Sequence, residues 1–198
     1  MRFCILPALL WSFVLTAGTP VLEWKFEKVV NNNYLESCQA TGRKQWLRGA
    51  PRRGAGVTGD ALDCGPSSNN FVAELNMPYR AFTIDLKFKL DNPVNPRNGN
   101  TLVWYALHSW GRSDFLFKIT PKKELMAQFF TKDSRTGEIK LSYTVLSKPL
   151  DIEPGRYYSV RISSVSGGNL KIYLDGVLVA AKDKAVSFSD LKIGRAHV

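Results

Sequence analysis

The chain has 198 residues, of which 44% are hydrophobic, with a formal net charge of +10 and three cysteines. That length fills one sizeable core and is short for two comfortable domains, and no apolar run reaches the roughly 20 residues of a membrane-spanning helix. The positive balance favours anionic partners such as acidic or sulfated glycans and other polymers, with no specific nucleic acid expected and no transmembrane segment.

The chain opens with Met1 and Arg2, runs uncharged from Phe3 to Ala17, and reaches the small residues Thr16, Ala17 and Gly18. This is the layout of a secretory signal peptide over residues 1–18, so the product is expected to be secreted or otherwise extracytoplasmic. Cys4 lies inside that leader, which leaves Cys38 and Cys64 in a compartment where disulfides form. Two readings stand. A bridge would close a loop of about 25 residues and stabilise the fold by roughly 3 kcal/mol on the chain-entropy account. Alternatively Cys64, at the end of the strand-like run Ala61 to Cys64, is a small buried hydrophobe that never meets Cys38.

Arg43, Lys44, Arg48, Arg52 and Arg53, interleaved with Trp46, form the densest basic cluster and are expected to be a solvated loop with an anchoring Trp. Beyond it the apolar stretches are short, rich in Val, Ile, Phe, Tyr and Trp, and bounded by Gly, Pro, Asn or Asp, which predicts strands throughout. Ala81 to Leu90 alternates most clearly, with Phe82, Ile84, Leu86, Phe88 and Leu90 on one face and Thr83, Asp85, Lys87 and Lys89 on the other. Further strands are predicted at Phe71 to Leu75, Thr101 to His108, Asp114 to Thr120, Glu124 to Phe130, Ile139 to Leu146, Arg156 to Ser163, Leu170 to Leu174 and Val177 to Ala181. The last two flank Asp175 and Gly176, a hairpin turn pair. So many strands imply two sheets, because a single sheet of that size would leave an apolar face in water.

Val21 to Glu27 (VLEWKFE), Gly56 to Cys64 (GVTGDALDC), Ala81 to Leu90 (AFTIDLKFKL), and the pair RYYSVRIS and NLKIYLDGVLVA between Arg156 and Ala180 follow one another in an order that resembles the laminin-G-like and concanavalin A-like domains. The resemblance implies an all-β, two-sheet antiparallel jelly-roll sandwich over residues 19–198, with Asp175 holding the hairpin turn and Gly176 supplying a positive φ. One departure is that the family continues past its Ile-Gly-Arg strand into a final core strand. Here Ile193 to Val198 (IGRAHV) is what a widely used sequencing adapter encodes in frame before a stop, with Ala196, His197 and Val198 the diagnostic part. Residues 192–198 are therefore expected to be a non-native terminus and the final strand to be missing.

Catalytic groups are sparse. His108 stands nearly alone, since His197 falls in the suspect terminus, and Glu23 and Glu27 would sit roughly 13 Å apart along a strand, too far for a paired-carboxylate glycosidase. The resemblance implies binding instead, on the concave sheet or rim loops, sometimes with Ca²⁺. Trp104, Tyr105, Trp110 and Tyr143 are the candidate sugar-facing aromatics, with core packing as the competing reading. Asp91 and Asn92, with Asn95 and Asn98, offer hard oxygen ligands for Ca²⁺, against a plain turn-forming role. The function expected is a secreted, non-catalytic module for carbohydrate or an extracellular protein. The alternatives are a structural or adhesive fragment of a larger exported protein and a divergent glycan-active hydrolase.

Overall fold

The computed structural model describes residues 29–30, 33–34, 45–48, 52–57, 60–63, 70–73, 80–106, 113–132, 136 and 138–187, and all regular structure among them is strand. The chain divides into two units, Met1–Leu75 and Asn76–Val198. Within the first, β1 (Val29–Val30) pairs with β2 (Asn33–Tyr34), β3 (Gln45–Arg48) with β6 (Asn70–Ala73), and β4 (Arg52–Ala55) with β5 (Asp60–Asp63), all antiparallel. Trp46 and Arg48 thus lie on β3 and Arg52 and Arg53 on β4, so the basic cluster expected to be a loop is in part strand. Cross-strand pairing there sets Arg52 opposite Asp63. Cys38, Cys64, Arg43, Lys44, Glu23, Glu27, residues 1–18 and residues 192–198 lie outside the described residues, and with them the disulfide, leader and terminus readings.

The second unit is a β-sandwich. One sheet runs in the order β11 (Ile139–Leu146), β10 (Leu125–Lys132), β9 (Ser113–Ile119), β8 (Asn100–Ala106). The other runs β14 (Val177–Asp183), β13 (Asn169–Leu174), β12 (Tyr157–Val165), β7 (Ala81–Lys89). Every pair of neighbours is antiparallel. These strands coincide with the predicted ones to within a few residues at each end.

Alternation explains which side of each strand is buried. On β7 the even-numbered residues point inward, Phe88 being 8% exposed, while Thr83, Asp85, Lys87 and Lys89 face water. On β12 the buried set is Tyr158, Val160, Ile162 and Ser164. Phe115, Phe117 and Ile119 of β9 and Leu125, Ala127 and Phe129 of β10 face them and are 0% exposed. The sheets meet through aromatic rings. Phe82 of β7 lies edge-on to Phe115 at 5.9 Å and to Phe129 at 6.0 Å, and these two rings are 4.7 Å apart. Burying each such side chain contributes about 1.5–3 kcal/mol, which makes this cluster a main tie between the layers.

The connections carry their own locks. Residues 90–99 take the chain from one sheet to the other, and Asn95 closes a turn there, its Oδ1 accepting from the backbone N–H of Arg97 at 2.9 Å and of Asn98 at 3.1 Å. Gly99 has φ +67, and a Cβ at that position would lie 1.9 Å from the Ile119 carbonyl oxygen, so only glycine fits. The return, residues 147–156, is fixed by Tyr158, whose hydroxyl accepts from Glu153 N–H at 2.8 Å and donates to the Asp151 carbonyl at 3.2 Å. At the β13–β14 hairpin Asp175 and Gly176 have φ 49 and 82, the two positive values of a type I′ turn.

Candidate functional site

Three strands of the β7 sheet, β7, β12 and β13, alternate between buried and outward residues. Their outward side is rich in charged and hydroxyl side chains, with Val165 of β12 and Leu178 of the neighbouring β14 as exposed apolar residues beside them. On β7 it carries Thr83, Asp85, Lys87 and Lys89, on β12 Tyr157, Ser159, Arg161 and Ser163, and on β13 Lys171 and Tyr173. Cross-strand partners point the same way, so the pairings Asp85↔Arg161 and Arg161↔Tyr173 make one row across three strands. Within that row Arg161 grips Asp85 with two parallel hydrogen bonds, Nε to Oδ1 at 2.7 Å and Nη2 to Oδ2 at 3.1 Å. That hydrogen bond first, and the Asp85 charge second, hold the Arg161 guanidinium above its ordinary pKa. Both side chains are more than half exposed, at 58% and 59%, so water screens the pair and it contributes little to stability.

A second acid is fixed at the end of this face. Asp175 accepts from the Ser159 N–H at 2.8 Å through Oδ1 and from Arg156 Nη2 at 3.0 Å through Oδ2. Its position in the turn therefore docks the hairpin onto β12. Among the described residues Lys87 and Lys171 make no ion pair, in contrast with Arg161 and Arg156. On the outward sides of β7, β12 and β13 four cations, Lys87, Lys89, Arg161 and Lys171, stand with one carboxylate, Asp85.

The residues singled out in the sequence fall in different places. Tyr143 is 7% exposed, and its hydroxyl donates towards the carbonyls of Lys182 at 2.8 Å and Asp183 at 3.1 Å. Lys182 lies over the same ring at 4.8 Å and donates to the Thr144 carbonyl at 3.0 Å. Tyr143 is a strut between β11 and β14 and presents no open ring face. Burial, with the Asp183 charge as the smaller cause, raises its hydroxyl above the ordinary value of 10.0. Trp104 and Tyr105 lie on β8 and pair in register with Leu116 and Phe115 on β9. Trp110 and His108 lie outside the described residues. Asp91 pairs with Lys89 at 3.2 Å and Asn95 serves its turn, while Asn92 is exposed. Among the described residues no group of three or more His, Cys, Asp or Glu could hold a metal ion, and no helix is long and apolar enough to cross a membrane.

Sequence reasoning placed Lys87 on the wet side of its strand but missed the set formed with Arg161, Lys171 and Tyr173. Its members are gathered by pairing between strands far apart in the chain, Asp85 and Arg161 being separated by 76 positions. No protein-family model matches the chain, and no curated protein matches it either.

Proposed function

We propose that the protein is an exported recognition module that binds carbohydrate or a cell-surface protein and catalyses no reaction on it. One observation carries the reading: the outward face of β7, β12 and β13 carries cations, hydroxyls and two half-buried tyrosines rather than a converging catalytic set. The acids nearest it support binding over hydrolysis, since Asp85 and Asp175 are each held by an arginine. Export rests on the leader-like first 18 residues. The finer reading of the sandwich as a jelly roll of the laminin-G-like kind rests on the strand order and on the Asp175-Gly176 hairpin between β13 and β14. A glycan array probed with and without Ca²⁺ tests the function. Binding that survives chelation is the expected result, and silence on every glycan would turn attention to the second reading.

That second reading, a structural or adhesive piece of a larger exported protein, draws on the other sheet. Its outward rungs carry Leu116 and Met126, half-buried, and Leu146 at 47% exposed, a composition suited to packing against further protein.

A further inference from the structure

The cations on the outward face are aligned. Lys87 stands opposite Ser159, Arg161 is two residues further along β12, and Lys171 stands opposite Ser163, two residues further again. Each step therefore crosses one strand and advances two residues in the same direction, and the three positions lie on a straight diagonal with about 8 Å between neighbours. Because the side-chain period is two, all three point to the same side of the sheet. The diagonal ends at Asp183 on β14, which pairs with Asn169.

The donors on this line are open. A guanidinium carries five N–H groups, and Asp85 engages one on Nε and one on Nη2 of Arg161, which leaves three outside that pair on a side chain that is 58% exposed. Lys87 and Lys171 make no ion pair among the described residues. Tyr173 lies beside Arg161 in the same row, where its half-exposed ring offers an apolar surface and its hydroxyl a donor. A row of regularly spaced cations flanked by an aromatic ring suits a chain with regularly spaced anions and apolar ring faces. The step length is comparable with one disaccharide of an extended polysaccharide.

We infer that this face takes an extended acidic polysaccharide along the Lys87–Arg161–Lys171 diagonal, its carboxylate or sulfate groups meeting successive cations and one sugar ring lying on Tyr173. This rests on the proposed recognition role and names its ligand class. Asp85 works within the same site: it fixes the guanidinium plane and lowers the local positive charge, so the face suits chains of moderate charge density.

The test uses the full chain and calorimetric titration with four probes: polygalacturonate, the same polymer fully methyl-esterified, chondroitin sulfate, and single-stranded DNA. Binding is expected to polygalacturonate or chondroitin sulfate, which assigns the anion as carboxylate or sulfate, and to weaken in high salt. The double variant Lys87→Gln/Lys171→Gln is expected to lose affinity about fivefold or more. Lys122→Gln/Lys148→Gln, with the same change in net charge on exposed residues elsewhere, is expected to stay within about twofold. Unchanged thermal melting of both variants shows that the fold is kept. Equal binding of the methyl ester, equal binding of DNA, or an unaffected Lys87/Lys171 variant would overturn the inference while leaving a recognition role standing. Failure of every glycan, here and on the array, would remove the carbohydrate-recognition role as well.

Discussion

The two sheets of the second unit have matching inner faces and unlike outer ones. Outside β7 and β12 the alternation ends in water, with Thr83, Asp85, Lys87, Ser159 and Arg161 exposed. Outside β9 and β10 it ends in Leu116, Lys118, Met126, Gln128 and Phe130, all half-buried. Strand period alone therefore says which residues share a side, but not that the second side is wet. The difference is one of composition: the first outer face carries exposed charge, and the second has the composition of a covered one.

The inner faces should be the most sensitive part. Phe115→Ala removes a fully buried ring that touches both Phe82 and Phe129, and should cost about 3–5 kcal/mol in a denaturant titration. A loss under about 1 kcal/mol would mean that the two layers are not joined there. Gly99→Ala should follow, at about 2 kcal/mol or more, because the added Cβ meets the Ile119 carbonyl and the residue sits at positive φ. The same titration would reveal a tolerant loop if stability were unchanged.

The closure of one side of the sandwich gives a smaller effect. Tyr143→Phe leaves the ring but removes the hydroxyl between β11 and the Lys182 and Asp183 carbonyls, a loss of about 1 kcal/mol. Its pH dependence has a definite sign. The folded protein holds the Tyr143 proton above the ordinary value of 10.0, so its stabilisation is complete below that pH and is lost as pH rises through the raised value. Alkaline melting curves should therefore fall more steeply for the wild type than for Tyr143→Phe. Parallel curves would show that the hydroxyl titrates as it does in the unfolded chain.

The smallest pair of changes contrasts the outer faces directly. Thr83→Ser, on the wet face, should move stability by no more than about 0.5 kcal/mol, whereas Leu116→Ser, half-buried, should cost about 1 kcal/mol or more. Equal and negligible effects would erase the distinction between the faces.

How much of this was legible in the sequence depends on whether the information is local. Ala81 to Leu90 declares its two faces because polar and apolar residues alternate one by one, and Asp175-Gly176 declares its turn because few residue pairs accept two positive φ values. The stretch from Leu125 to Phe130 is largely apolar on both sides, Leu125, Ala127 and Phe129 on one and Met126, Gln128 and Phe130 on the other, so its strand character shows but its faces do not. For Tyr143 the sequence leaves a ligand-facing ring and core packing both open, because an aromatic residue suits either, and the structure gives it the core place, on the same side as Val145. The oxygen-bearing residues around Asp91 and Asn92 suit either a cation or a turn, and in the loop Asn95 closes a turn while Asp91 pairs with Lys89. The cation diagonal was not legible, because Lys87 and Arg161 become neighbours only through a pairing register that nothing local specifies.

The proposed recognition site is the charged outer face of β7, β12 and β13. Amide chemical-shift mapping of the full chain, titrated with whichever glycan the array identifies, tests it most directly. The perturbed amides are expected to cluster on Asp85 to Lys89, Ser159 to Ser163 and Lys171 to Tyr173. Perturbations confined to β8 through β11, or to the loops at 90–99, would contradict it.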